Sequence, residues 1–173
     1  VENLNRGGLE RVVIDLARAQ ADAGHDCQII CLYDAGMLAG ELASSRVKVI
    51  ACDKREGADL RAILRLRRAL SAQGTEVLHS HNGIPHYYAM AAALGLGLTR
   101  VVNTRHGMGD INPSSRREWL FRQSMRLTDV SVAVSEAAAA KLADTGTVAK
   151  DKLRVVPNGI HTGPFTERND VAR

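Results

Sequence analysis

The sequence predicts an α/β fold in which a doubly wound parallel sheet is flanked by helices on both faces. Three observations carry this. Short apolar, β-branched segments alternate with longer segments of helical periodicity, the spacing of βαβ units and hence of a parallel sheet. A glycine pair, Gly7-Gly8, stands directly against the start of the first such helix, where backbone or ligand can come close because no Cβ intervenes. The composition is that of one globular domain: 173 residues, 45% hydrophobic and 24% charged. With aromatics at only 3%, the core must be built from Ala, Val, Leu and Ile.

Residues 9–23 form the first helix, with Leu9, Val12, Val13, Leu16 and Ala17 on one face and Glu10, Arg11, Asp15 and Arg18 off it. Gly24 supplies its C-terminal stop. Residues 27–32 and 47–52 are strands separated by a brief irregular or helical stretch, and 57–73 are a second long helix closed by Gly74. Strand 77–81 leads to helix 85–94. Strand 100–104 leads through a polar loop to a helix opened by Asn112 as cap, with Pro113 in its first turn. Strand 130–134, helix 136–144 and a short strand 153–156 complete the pattern, and Pro157-Asn158-Gly159 ends it. No strand precedes the glycine pair. In a doubly wound sheet that strand is central, so the first strand is expected to be missing and strand edges to lie open at the sheet's middle.

A net charge of +4 and a pI near 9.2 suit an anionic partner. The scarcity of aromatic stacking platforms argues against nucleic acid. Cys27, Cys31 and Cys52 are odd in number and lack C-x-x-C spacing, which predicts reduced thiols and a cytosolic protein. No apolar run approaches the ~20 residues that span a bilayer.

Chemistry concentrates at the loops. The amides of Gly7 and Gly8, at the positive end of a helix dipole, are suited to a diphosphate leaving group. His106 lies just past the predicted C-terminal end of a strand, where open α/β sheets place their ligands. Its imidazole can donate a hydrogen bond to a sugar hydroxyl or to developing charge. His79 and His81, two apart on a strand, point to one face, but no third metal ligand is identifiable and no metal is expected. His79 is expected inside the sheet layer, with His81 and Asn82 at the cleft mouth. Arg61, Arg65 and Arg68 form a helix stripe opposite Leu60, Ile63 and Leu70, read as a solvated face. Ser135 precedes an alanine-rich helix as its N-cap, with no G-x-S-x-G around it. Arg116, Arg117, Arg122 and Arg126 interleave with Trp119, Phe121 and Met125. Such a helix suits an anionic membrane surface or a lipid-diphosphate acceptor; the alternative buries Trp119 or Leu120 and leaves the arginines solvated.

Four segments, in this order and spacing, resemble the N-terminal domain of a GT-B glycosyltransferase of family 4, the group 1 retaining transferases. They are Gly7-Gly8-Leu9-Glu10-Arg11, Val77-Leu78-His79-Ser80-His81-Asn82, Thr104-Arg105-His106-Gly107, and Val132-Ala133-Val134-Ser135-Glu136 running on to Val155-Val156-Pro157-Asn158-Gly159-Ile160. The resemblance implies a Rossmann-like acceptor-side domain over residues 1–163 and, over 164–173, a linker toward an absent C-terminal donor-binding domain. It implies transfer of a sugar, with retention, from a nucleotide-diphosphate sugar to a glycan or lipid-linked acceptor. That sugar nucleotide is a co-substrate, and no resident cofactor is involved. By the same resemblance His106 is catalytic, Gly7 and Gly8 hold the donor diphosphate, and Arg6, His81, Asn82 and Arg105 meet the acceptor. The departing phosphate oxygen can itself take the acceptor's proton. A cytoplasmic protein, peripheral at the inner face of the plasma membrane, follows. The chain departs from the family in lacking a Glu-x7-Glu pair in a donor setting, and in having His161 where an acidic residue is common.

Three other readings compete with this one. A GT-B-like sugar-nucleotide epimerase would want several carboxylates for proton transfer, and the candidate loops offer Asp110 alone. A dinucleotide oxidoreductase would want G-x-G-x-x-G, which is absent. A non-catalytic phosphate- or carbohydrate-binding module requires that the native chain end near Arg173.

Overall fold

The structure, a computed structural model, describes residues 1–106 and 115–159. Helix α1 (Gly8–Asp22) buries Val13, Ile14, Ala17 and Ala21 and ends at Ala23, with Gly24 at φ +96°. Strand β1 (Gln28–Cys31) is followed by a 3₁₀ segment (Met37–Leu42) and strand β2 (Lys48–Ala51). At the turn before that segment, Gly36 has φ +80° and packs against the Leu4 backbone, leaving no room for a Cβ.

Helix α2 (Leu60–Ala72) begins three residues later than its periodicity suggests, because the Asp59 carboxylate accepts from the N–H groups of Arg61 and Ala62. Its buried face is Ala62, Leu66 and Leu70; Leu60, expected on that face, is 74% exposed. Arg61, Arg65 and Arg68 are exposed as expected. Arg67 reaches across to the carbonyls of Ala92 and Leu94 and ties α2 to the next helix.

Strand β3 (Val77–His81) runs directly into α3 (Gly83–Ala93), which starts two residues earlier than its sequence suggests. Strand β4 (Arg100–Arg105) follows, then α4 (Arg116–Met125), whose N-cap is Ser115. Asn112 and Pro113, expected to open that helix, lie outside the described residues, as do Gly107 and Asp110. The same holds for Ile160, His161 and the proposed linker at 164–173. Strand β5 (Val130–Ala133), helix α5 (Glu136–Asp144) and strand β6 (Leu153–Val155) complete the chain, with Ser135 capping α5 through a bond from the Ala138 N–H.

Every strand pair is parallel, in the orders β2–β1 and β3–β4–β5–β6. Alongside β1, Val1 donates to the Ile30 carbonyl and accepts from the Leu32 N–H, and Glu2 accepts from Tyr33. This is the bonding of a parallel neighbour. Below Val1 the two sheets part around a cavity of about 420 Å3 lined by β1, β3 and the helices covering them. Three apolar clusters form the core. One packs α1 on β1, one packs α2 and α3 on β3, and one packs α4 and α5 on β5.

A buried polar cluster locks the middle of the larger sheet. His86, fully buried on α3, meets Ser80 Oγ through Nδ1 (2.7 Å) and Thr128 Oγ1 through Nε2 (3.0 Å). Thr128 donates its own proton to the Ser124 carbonyl, so the His86 Nε2–H is the donor to Thr128. Ser80 then donates to Nδ1 and accepts from Asn103 Nδ2. Burial holds the His86 imidazole neutral, pushing its pKa down to about 4.

Candidate functional site

The cluster supports the C-terminal ends of β3 and β4, where the candidate residues gather. Parallel register sets His81 beside Thr104, so the residues that follow, Asn82 and His106, emerge from adjacent strands. Asn82 is the knot between them. Its N–H donates to the Thr104 carbonyl (2.8 Å), its own carbonyl accepts from Asn103 Nδ2 (3.1 Å), and its Oδ1 accepts from the His106 N–H (3.1 Å). Its φ of +63° with ψ of −173° is a conformation almost confined to glycine. These bonds hold it there, and because its side chain is spent on His106 it does not cap α3.

Three imidazoles line up beside it. His79 and His81 stack with ring centroids 4.4 Å apart, and His81 and His106 lie at 5.1 Å. His81 Nδ1 is 2.9 Å from His106 Nε2, and His79 Nε2 is 2.8 Å from Thr104 Oγ1. The shared face expected for His79 and His81 is present, but their depths are reversed. His81 is 5% exposed and His79 half-buried, because the ring of His106 closes over His81 from the next strand. Burial lowers the pKa of all three, that of His79 to about 4 and that of His81 well below its ordinary value. For His106 a nearby carboxylate, Glu10, opposes the burial. The rings are therefore neutral at pH 7, suited to hydrogen bonding rather than to carrying charge. His106 Nδ1 is buried and has no partner among the described residues. Among those residues no group of three His, Cys, Asp or Glu side chains is placed to hold a metal ion.

Gly7 and Gly8 are exposed at the N-terminus of α1, and no side chain caps it. Neither glycine needs positive φ; Gly7 is simply extended. A Cβ at Gly7 would meet only the movable end of the Glu10 side chain, which folds back over the loop, and a Cβ at Gly8 would meet nothing. Arg6 is exposed beside them.

Arg105, expected to meet the acceptor, turns its side chain toward α4. Its side chain is only 15% exposed and lies 3.6 Å from the buried Glu118 carboxylate, with the guanidinium 4.8 Å above the Phe121 ring. Arg105 Nη1 and Glu118 Oε1 are buried without partners among the described residues. The pull comes from α4, whose first turn carries Glu118 inward. On that helix Phe121 and Met125 are buried, whereas Trp119 is 57% exposed beside exposed Arg116, Arg117 and Arg126.

Residues that sequence reading passed over do much of this work. His86 sits inside an apolar helical run, and neither Asn103 nor Thr128 belongs to a motif. Glu10 was visible as part of the glycine-pair segment, but its electrostatic influence on His106 is a tertiary fact.

A parallel α/β domain with a glycine loop and neutral histidines at its strand ends belongs to the Rossmann-like α/β class. Residues 6–163 match Glycosyltransferase Family 4, and the chain belongs to that family. Its fold is similar to that of a glycosyltransferase from Rickettsia africae ESF-5 (TM-score 0.75, 21% identity), covering 94% of this chain and 42% of that one. It is also similar to Anabaena Alr3699/HepE, solved in complex with UDP and glucose (TM-score 0.68, 16% identity), covering 89% of this chain and 42% of that one. The chain thus spans less than half the length of these structures. No curated protein matches it. No helix among the described residues is long and apolar enough to cross a membrane.

Proposed function

We propose that this chain is the acceptor-side half of a retaining glycosyltransferase that moves a sugar from a nucleotide-diphosphate sugar to a glycan or lipid-linked acceptor. The observation that carries the reading is the His81–His106–Asn82 constellation at the ends of β3 and β4. In this reading His106, held by its backbone N–H and by Nε2, keeps Nδ1 free to bond the transferring sugar or the charge that develops near its anomeric centre. The uncapped amides at Gly7 and Gly8 meet the diphosphate as negative charge grows on it, once the Glu10 carboxylate moves off the loop. The departing phosphate oxygen takes the acceptor's proton, which a neutral, buried imidazole has no need to do. Arg6 and Asn82 stand at the open side for the acceptor, while His81 and Arg105 act from behind. Assay of the native gene product with UDP-glucose as donor probe tests this. His106→Ala is expected to lower kcat by about a hundredfold or more, and an unchanged kcat refutes the role.

The exposed face of α4 supports a membrane-side partner. Trp119 and Leu127 are 57% and 59% exposed, flanked by exposed Arg116 and Arg126, and the helix's one carboxylate, Glu118, is buried. An aromatic anchor among arginines fits an anionic bilayer surface, consistent with a cytoplasmic protein held peripherally at the inner face of the plasma membrane. Co-sedimentation with phosphatidylglycerol vesicles, lost in Trp119→Ala and absent with phosphatidylcholine, is the expected result.

A further inference from the structure

Charge is distributed unevenly over the helices. On α1, Asp15 and Asp22 accompany Arg11 and Arg18, and α5 carries Glu136 and Asp144. Helices α2, α3 and α4 hold a single carboxylate between them, Glu118, and it is buried. Against it stand Arg61, Arg65 and Arg68, exposed on α2, and Arg116 and Arg117, exposed on α4. Helix α3 lies between these two and touches both, and its one basic side chain is the buried, neutral His86. Of the carboxylates in the loop before α2, Asp59 caps the helix, Asp53 meets Arg65 at 3.4 Å, and Glu56 follows Arg55 in the chain.

The same layer exposes large apolar side chains. Leu60 is 74% and Leu64 54% exposed, one turn apart on α2, and neither belongs to any of the three core clusters. Arg61 and Arg68 flank Leu64 at three and four residues' distance, so leucine and guanidinium share one face of the helix. The opposite face is the buried one, with Ala62, Leu66 and Leu70. Helix α2 is thus amphipathic toward the core and again, on a smaller scale, toward the outside.

We infer that α2 is a second membrane contact: Leu60 and Leu64 enter the headgroup region of an anionic bilayer while Arg61 and Arg68 meet its phosphates. The inference rests on the peripheral-membrane reading given above and extends it from α4 to α2. An acidic protein partner would need these apolar residues gathered in one groove. Instead α3 separates Leu60 and Leu64 from Trp119, a span of two helix spacings, roughly 16–20 Å, which a continuous lipid surface covers without a shape of its own. The contact also has a place relative to the site. A helix begins at the edge of the sheet where the strand before it ends, so the first turns of α2 and α4, carrying Leu60 and Trp119, lie toward the strand ends that carry Asn82 and His106. Docking on both helices sets that edge at the bilayer surface, which favours a lipid-linked acceptor over a soluble glycan.

Co-sedimentation of the native gene product with phosphatidylglycerol vesicles, against phosphatidylcholine vesicles as reference, tests the contact. Leu60→Ser with Leu64→Ser is expected to weaken binding on the order of tenfold, and Arg61→Gln with Arg68→Gln on the order of thirtyfold. Both double variants should keep the wild-type unfolding midpoint, because these side chains lie outside the core clusters. The leucine variant should retain the salt dependence of binding and the arginine variant lose part of it. Wild-type affinity in both double variants overturns the inference; if Trp119→Ala alone then loses binding, the reading of α4 stands without it. Loss in the α2 variants with full binding by Trp119→Ala supports the α2 contact and removes that of α4. A wild-type chain that binds no vesicles, but forms a dimer that Leu60→Ser with Leu64→Ser dissociates in sedimentation velocity, places a second copy on this face and overturns the membrane contact.

Discussion

Replacing His86 with leucine tests whether the buried polar cluster holds β3, α3 and α4 together as a neutral network. In the folded chain burial lowers the His86 pKa to about 4, against an ordinary value of 6.5. Below pH 6.5 the unfolded chain binds a proton that the folded chain refuses, so stability falls with pH until the folded imidazole titrates as well. At ~1.4 kcal/mol per pH unit, this one side chain removes about 3 kcal/mol between pH 6.5 and 4. Leucine abolishes that loss but leaves the Ser80 and Thr128 hydroxyls without the ring. Thr128 still donates to the Ser124 carbonyl and Ser80 still meets Asn103 Nδ2 and the Val102 carbonyl, so each bond lost with the ring costs ~0.5–1.5 kcal/mol at neutral pH. The expected pattern is therefore a variant clearly weaker than wild type near pH 7 whose deficit shrinks by about 2–3 kcal/mol near pH 4.5. Urea unfolding at both pH values measures the two gaps. His79, His81 and His106 steepen the acid loss of both chains alike and cancel in the difference. A deficit of the same size at both pH values refutes the reasoning, because it means that His86 already titrates normally in the fold.

Asn82→Ala keeps a Cβ at φ +63° but deletes the side-chain carbonyl that accepts from the His106 N–H and helps hold that conformation. A loss of about 1–2 kcal/mol is expected in thermal unfolding, with Asn82→Gly relieving the backbone strain that Asn and Ala share but not restoring the anchoring of His106. Glu118→Ala leaves the mostly buried Arg105 guanidinium facing Phe121 without its carboxylate. It should destabilise by about 2–4 kcal/mol, and Arg105→Met with Glu118→Leu should restore most of that if the pair serves packing alone. Gly36→Ala sets a Cβ against the Leu4 backbone at φ +80°. A Tm drop corresponding to more than about 2 kcal/mol is expected, and an unchanged Tm would show that the 4–36 contact is not maintained in solution.

The secondary structure of this chain was largely legible because local periodicity and caps decide it. Among the described residues, six strands, five α-helices and the alternation between them follow from where apolar residues recur, and strands joined through helices run parallel. The misreadings are local competitions. Asp59 set the start of α2 by offering its carboxylate to the first turn, so Leu60 became a solvent-facing first residue rather than a core one. Asn82 let α3 begin directly off β3, because its bonds to Thr104, Asn103 and His106 hold a positive φ that turns the chain in one step.

The site was legible as a set of positions and not as an arrangement. His79, His81, Asn82 and His106 stand out as polar residues at strand ends, and the glycine pair as a close-approach loop. Which imidazole faces which is a long-range fact, created when register sets β3 beside β4 and brings residues 25 apart to 2.9 Å. The same holds for Arg105. Only the tertiary structure decided that its charge is met by Glu118 and Phe121 from α4, since a buried guanidinium goes to whatever carboxylate and aromatic face the packing supplies. The sequence by itself determined a parallel α/β domain with histidines and a glycine loop at its strand ends. Packing determined that those histidines are neutral, paired and held from behind, because burial and partnership depend on neighbours that no local stretch of chain contains.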